Sequence, residues 1–184
     1  MNLSLDGFLS GPREELDWHV ETWSEDMGEK LLELLYDTDT LVLGRVTYEA
    51  MERYWTIRPL ERDFPSQDQA IADQMNRHEK IVFTLRSTRA IWKNTRVVRG
   101  DISEEIAKLR RRPGKNILIF GSSKLVASCI TSRLVDEYLL WIHPVLLGRG
   151  NPLFKNLQNP LNLKLKDAVI LNPGVAVLQY QPLS

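Results

Sequence analysis

The chain has 184 residues, 43% of them hydrophobic and 26% charged, with 24 basic and 24 acidic side chains and a formal net charge of zero. Its size and composition are those of one soluble globular domain, expected to span residues 1–184. The balanced charge argues against a general nucleic-acid binder, which needs a basic excess to neutralise phosphates, and no apolar run approaches the roughly 20 residues of a membrane span.

The N-terminus lacks the basic segment and apolar core of a signal peptide. The single cysteine, Cys129, has no partner for an internal disulfide and sits in an apolar helical stretch, so buried packing and a reducing cytoplasm are expected.

In chain order, Leu3, Leu5 and Phe8 fall near a two-residue period and predict a strand that meets Gly7 and the turn Ser10-Gly11-Pro12. A loop with Trp18, His19 and Trp23 follows. Residues from about Glu25 to Tyr36 read as a helix with Leu31, Leu32, Leu34 and Leu35 on its apolar face. Next come a strand over residues 40–43 and a helix beginning near Arg45. Prolines and mixed charge from Trp55 to Ser66 predict a surface loop. A short helix near 67–77 leads to a strand over 80–84 and another over 96–98. The helix after it is predicted to be capped by Ser103, with Ile106 and Leu109 facing inward. A strand over 116–120 and a helix over 123–131 follow. The Arg110-Arg111-Arg112 cluster reads as the solvated C-terminal end of a helix, where cations complement the dipole. The remainder is extended over 135–144, 162–171 and 175–181, with a turn at Asn172-Pro173-Gly174. Strands alternating with helices and then a run of strands predict an α/β sheet with an antiparallel edge.

Two strands run straight into a glycine and then a helix: Leu41-Val42-Leu43-Gly44-Arg45-Val46-Thr47 and Ile117-Leu118-Ile119-Phe120-Gly121-Ser122-Ser123. A helix N-terminus has free N–H groups and a partial positive charge, which suits phosphate. Gly44 lets the backbone approach a phosphate closely, Arg45 offers a planar guanidinium, and Thr47 offers a hydroxyl. Gly121, Ser122, Ser123 and Lys124 add N–H groups, hydroxyls and a cation. Each junction taken alone is equally well explained as a tight turn with an ordinary serine cap. Thr84 and Arg86 close a third strand with a hydroxyl and a guanidinium, suited to an extra phosphate on a ribose and so to NADPH over NADH; taken as isolated residues they read as solvated loop positions. The Gly-x-Gly-x-x-Gly fingerprint and the P-loop lysine motif are both missing from the sequence.

His19, His78 and His143 are scattered without metal-ligand spacing, so no metal is expected. His143, before Pro144, reads as a structural hydrogen-bonding residue. Asp6 is the candidate acid, able to hold a heterocycle's N–H groups or steer a proton; an Asp-Gly turn is the structural alternative. Trp18, Trp23 and Trp55 are candidates to line the pocket of a flat aromatic substrate, and core packing explains each equally well.

Taken together, Ser4-Leu5-Asp6-Gly7-Phe8, Leu43-Gly44-Arg45-Val46-Thr47-Tyr48, Ile119-Phe120-Gly121-Ser122-Ser123, Leu134-Val135-Asp136-Glu137-Tyr138 and the segment from Pro144 to Phe154 resemble the dihydrofolate-reductase-like superfamily. Within it, the chain is most similar to the reductase (RibD C-terminal) domain of the bifunctional riboflavin-biosynthesis deaminase/reductase and its stand-alone bacterial relatives. The resemblance implies a central, mostly parallel mixed sheet of about eight strands with an antiparallel C-terminal edge, flanked by helices. It also implies NADPH as hydride donor to a small pterin, pyrimidine or flavin-precursor heterocycle, and a homodimer, which the apolar late strands also suggest. By position, Gly44, Arg45 and Thr47 would hold the pyrophosphate side, Thr84 and Arg86 the ribose phosphate, and Gly121, Ser122, Ser123 and Lys124 the remaining phosphates. Asp6 and the loop through Trp18 would face nicotinamide and substrate. The helix-start segment Glu25-Asp26-Met27-Gly28-Glu29 offers no acid matching that of true dihydrofolate reductases. The alternative is a nucleotide-binding or scaffold module that keeps the fold without the chemistry.

Overall fold

The computed structural model describes residues 1–62, 64–86, 88–155, 157 and 159–183, with position 67 described through its backbone only. In chain order the first elements are β1 (Asn2–Ser4), β2 (Phe8–Ser10), α1 (Asp17–Val20), α2 (Glu25–Tyr36), β3 (Thr38–Gly44) and α3 (Arg45–Ile57). Then come α4 (Ser66–Arg77), β4 (Glu79–Phe83), β5 (Thr95–Val98), α5 (Ile102–Arg110), β6 (Asn116–Gly121) and α6 (Ser123–Thr131). Strands β7 (Tyr138–His143), β8 (Asn151–Pro152), β9 (Leu163–Leu171) and β10 (Val175–Pro182) complete the chain. By internal packing it divides into two compact units, Gly28–Val126 and Met1–Met27 with Ala127–Ser184, the boundaries falling inside α2 and α6.

The Gly28–Val126 unit is built on a parallel sheet of order β5-β4-β3-β6. Leu41, Val42 and Leu43 of β3 expose no surface. Consecutive buried residues mean that both faces of the strand are covered, as parallel strands with helical crossovers require. Ile81 and Val82 on β4 are buried in the same way. Each such side chain contributes about 1.5–3 kcal/mol when removed from water.

Helix boundaries depart from expectation in two places. Asp101, not Ser103, caps α5: its carboxylate accepts the amides of Ser103 at 2.8 Å and Glu104 at 3.0 Å. A carboxylate at the N-cap meets the dipole as well as the orphan amides, and this explains the two-residue difference. Ile106 and Leu109 face inward as expected. Trp55, read as the start of a loop, lies instead in the last turn of α3. The helix runs on to Ile57 and a 3-10 turn over Arg58–Leu60, where Pro59 is tolerated because a first-turn N–H needs no partner.

A polar network sits inside this unit. Lys80 on β4 is fully buried, its Nζ donates to the carbonyls of Met75 at 3.0 Å and Asn76 at 3.1 Å, and it lies 4.5 Å from the centroid of the Trp92 ring. These carbonyls belong to the last turn of α4, where a cation complements the dipole. Trp92 Nε1 donates to Asn76 Oδ1 at 2.7 Å, and the Trp92 amide donates to the Tyr48 hydroxyl at 3.1 Å. Burial pushes the Lys80 amine from its ordinary 10.5 down to about 8. Across that window the unfolded chain holds a proton the folded chain has released, so the Lys80 contribution makes stability rise with pH, by on the order of 3 kcal/mol. Urea unfolding should show the wild type gaining on Lys80→Met between pH 8 and 10.5; parallel pH profiles for the two proteins would refute this.

The other unit holds a four-stranded sheet of order β1-β7-β10-β9, in which β1 pairs parallel with β7 and the remaining pairs are antiparallel. The β9–β10 hairpin turns at Asn172-Pro173-Gly174, with Gly174 at φ 110° and its amide donating to Leu171 O at 2.7 Å. β2 and β8 form a separate antiparallel pair. Cys129 is buried, and burial raises its thiol to about 11, the behaviour of a packing residue rather than a nucleophile. The mixed α/β architecture with parallel strands, flanking helices and an antiparallel C-terminal edge is therefore present. Its strands form two four-stranded sheets, one per unit, and the β2–β8 pair.

Candidate cofactor-binding site

β3 and β6 are neighbours, and their register sets Leu43 opposite Gly121. Both strands end there in glycine. The two following helices, α3 and α6, therefore start from adjacent positions at the carboxyl end of the sheet, where open α/β sheets bind ligands. Gly44 precedes α3 with φ −79° and ψ 157°, and no side chain caps the helix. The first-turn amides of α3 consequently receive no side-chain cap from the N-cap position. Ser122 opens α6, its carbonyl accepting the Val126 amide at 2.9 Å.

The two corners touch closely. A Cβ added at Gly44 would lie 2.6 Å from Ser122 Oγ and 2.9 Å from the Ser122 amide nitrogen. One added at Gly121 would lie 3.1 Å from Thr47 Oγ1, and Gly121 also has φ 134°, which side chains rarely adopt. The peptide bond between Gly121 and Ser122 is cis. Gly44, Thr47, Gly121 and Ser122 thus form one cluster, half of it predicted from each strand–glycine–helix junction.

Gly44 pairs with Phe83 across β3 and β4, so Thr84, the next residue, leaves the sheet beside the same corner. Thr84 Oγ1 accepts the Arg86 amide at 3.0 Å, and Arg86 itself is exposed. Arg45 is tied along its helix to Glu49 at 2.6 Å, an exposed-face pair of the kind that contributes little and yields to a better anion. Ser123 is half-buried and Lys124 exposed. Trp55 is half-buried, its ring edge-on to Tyr54 at 4.8 Å between centroids, and its carbonyl accepts from Asn76 Nδ2 at 2.9 Å. Sequence reading assigns no role to Tyr48, which follows Thr47 on α3, or to Trp92, whose amide donates to the Tyr48 hydroxyl. The available signal was slight: Trp92 is the only aromatic residue between Phe83 and Phe120.

Asp6 and Trp18 belong to the other unit. Asp6 lies in the turn after β1, exposed, and its carboxylate accepts from Ser4 Oγ at 2.7 Å, the Gly148 amide at 2.7 Å and the Leu147 amide at 3.2 Å. The Ser4 hydroxyl, then the two amides, hold its pKa below the ordinary carboxylate value. An ionised Asp6 is an acceptor and not a proton donor at neutral pH. Trp18 packs edge-on against His19 at 5.2 Å and His143 at 5.3 Å between centroids, and its Nε1 is buried with no hydrogen-bond partner among the described residues. His143 has the structural role its position predicts: Nδ1 lies 2.6 Å from Thr22 Oγ1 and Nε2 3.2 Å from Asn2 Oδ1. Burial, then neighbouring His19, lower its pKa to about 4, so the ring is neutral.

At the start of α2, Asp26 accepts from Ser24 Oγ, the Met27 amide and, at 2.9 Å, the Asn172 amide, with Ser24 the leading cause of its lowered pKa. That acid is committed to holding the β9–β10 turn. Among the described residues, no three His, Cys, Asp or Glu side chains gather as a metal site, and no helix is long and apolar enough to cross a membrane.

The chain and its fold have relatives. The chain is 33% identical over 178 residues, 97% of its length and 90% of the other's, to the uncharacterized protein YyaP of Bacillus subtilis (strain 168). Its structure resembles that of a provisionally assigned riboflavin-biosynthesis protein of Shewanella sp. PV-4, with a TM-score of 0.75 at 23% identity, covering 100% of this chain and 97% of that one. It also resembles dihydrofolate reductase from Enterococcus faecalis complexed with NADP(H), with a TM-score of 0.63 at 16% identity, covering 100% and 94%. The fold is therefore that of dihydrofolate reductase, the RibD C-terminal domain family matches residues 1–177, and the chain belongs to that family.

Proposed function

We propose that the protein is an NADPH-dependent reductase that transfers hydride to a small heterocycle of the pterin, pyrimidine or flavin-precursor type. The observation that carries this reading is the paired corner at Gly44 and Gly121, where an uncapped helix start meets a second backbone turn with no room for a side chain. The contact of these two turns, which a single Cβ would push apart, sets the starts of α3 and α6 side by side, and paired helix starts suit a diphosphate. Gly44, Arg45 and Thr47 would hold its one side, and Gly121, Ser122, Ser123 and Lys124 the other. Thr84 and Arg86, leaving β4 beside Gly44, would take the ribose phosphate.

NADPH supplies the hydride when bound. The chain's own residues bind, orient and exclude water, which is most of what such a transfer needs from a protein. Asp6 would contribute a fixed acceptor for a substrate N–H, and the buried Trp18 Nε1 a donor that a ring carbonyl would satisfy. Trp55 is proposed as a further aromatic contact for the substrate. We propose further that residues 1–184 unfold as one domain and that two copies associate through the β9 edge, where Leu165 is 48% and Ile170 71% exposed. Light scattering should report a dimer; a monomer at working concentration would contradict it.

Thermal unfolding with and without coenzyme tests the main reading. NADPH at one hundred times its dissociation constant adds about 2.7 kcal/mol, about 5–10 °C for a chain of this size. NADPH oxidation with at least one member of a pterin, pyrimidine and flavin-precursor panel should follow. A shift without oxidation across the panel would favour a binding module, and no shift with NADPH or NADH would dismiss the nucleotide reading. Arg86→Ala should weaken NADPH more than NADH; equal loss for both would refute the ribose-phosphate assignment.

A further inference from the structure

Residues 84–94 join β4 to β5 and carry both Thr84 and Arg86. This segment is fixed at its ends. At the start, the Thr84 amide donates to Val98 O at 3.1 Å, and the Thr84 hydroxyl closes the turn to the Arg86 amide. At the far end, Trp92 is 2% exposed and its amide donates to the Tyr48 hydroxyl at 3.1 Å. Between these anchors Leu85, Arg86 and Ile91 stand exposed.

Tyr48 is 1% exposed in the first turn of α3, next to Thr47. Its hydroxyl therefore joins two parts of the candidate cofactor corner: the helix that starts at Gly44 and the segment that bears Arg86. A phenylalanine ring would fill the same space, so the hydroxyl's distinctive contribution is this tie.

We infer that Tyr48 is a positioning residue for coenzyme discrimination, holding segment 84–94 against α3 through the Trp92 amide so that Arg86 is presented to the ribose phosphate. The inference rests on the NADPH reading above. A guanidinium–phosphate contact depends on planar, two-point geometry. NADH lacks that phosphate and is indifferent to where Arg86 stands. Loosening the segment therefore costs NADPH affinity selectively, whereas a purely structural defect lowers both.

The test is to titrate wild type, Tyr48→Phe, Arg86→Ala and the double variant with NADPH and with NADH. Tyr48→Phe should reduce the NADPH-over-NADH preference about fivefold, the size of one hydrogen bond. The double variant should lose no more preference than Arg86→Ala alone, because both act through one contact. An unchanged preference in Tyr48→Phe with a collapse in Arg86→Ala overturns the positioning role and leaves the phosphate assignment standing. An unchanged preference in both overturns the two together, as does wild type that binds neither coenzyme. Amide hydrogen exchange gives a second readout: residues 85–92 should exchange faster in Tyr48→Phe, and unchanged exchange there refutes the tie. If Tyr48→Phe does not fold, Trp92→Phe loosens the same anchor by removing the Nε1 bond to Asn76, and the same selective fall in preference is expected.

Discussion

Gly44→Val should cost at least about a hundredfold in NADPH affinity, a loss of roughly 2.7 kcal/mol or more. The backbone at Gly44 has φ −79°, a value open to any residue, so the penalty is one of space alone. The new Cβ would sit 2.6 Å from Ser122 Oγ and 2.9 Å from the Ser122 amide nitrogen. The serine hydroxyl can rotate aside, but the amide belongs to the backbone that opens α6 and must move with it. Overpacking of this kind costs about 1–3 kcal/mol of stability, so the variant should still fold. It spreads the two corners apart, and a phosphate bridged by both sets of amides then loses one set. Gly100→Ala is the comparison, since nothing lies within 4 Å of a Cβ there. Its NADPH affinity should match wild type. NADPH affinity in Gly44→Val within about threefold of wild type, measured by calorimetry, would contradict a diphosphate held by the paired helix starts.

Trp92→Ala should lower stability by about 3–5 kcal/mol, the usual range for removing a buried tryptophan. A fall in Tm of about 10 °C follows for a chain of this size. Three losses combine at this position. The indole volume disappears from a site that is 2% exposed, Asn76 Oδ1 loses its Nε1 donor, and the buried Lys80 ammonium loses the ring 4.5 Å away. Trp92→Phe keeps a ring under Lys80 and should recover a large part of the loss. A Tm for Trp92→Ala within about 2 °C of wild type would show that the network is not a stability element.

The parallel core and its glycine ends were legible because each is a local pattern. Leu41, Val42 and Leu43 are contiguous, apolar and followed at once by Gly44, and the same holds for Ile117 to Gly121. The leucine spacing predicts helix α2 to its observed ends. Errors arose where two local signals competed. Asp101 and Ser103 both suit an N-cap, and the carboxylate is the one the helix uses. Pro59 suggested a loop from Trp55 onward, yet a proline in the first turn of a 3-10 helix leaves the preceding α-helix intact. The amide partners of Asp6 lie 141 and 142 residues away, beyond any local pattern, so sequence alone does not show its carboxylate fastening the 147–148 backbone. The Lys80–Trp92–Asn76–Tyr48 network is likewise hidden, because its members lie on α3, α4, β4 and a connecting segment. A lysine heading the apolar run Ile81-Val82-Phe83 reads as a strand's solvent end, and only packing makes it a buried cation.

Amide resonances observed during an NADPH titration of nitrogen-15-labelled protein test the central claim most directly. The amides of Arg45, Val46 and Thr47 at the start of α3 and of Ser122 and Ser123 at the start of α6 should shift together and saturate at one equivalent per chain. Saturable binding that leaves those amides unmoved while others shift would place the coenzyme elsewhere and contradict the account.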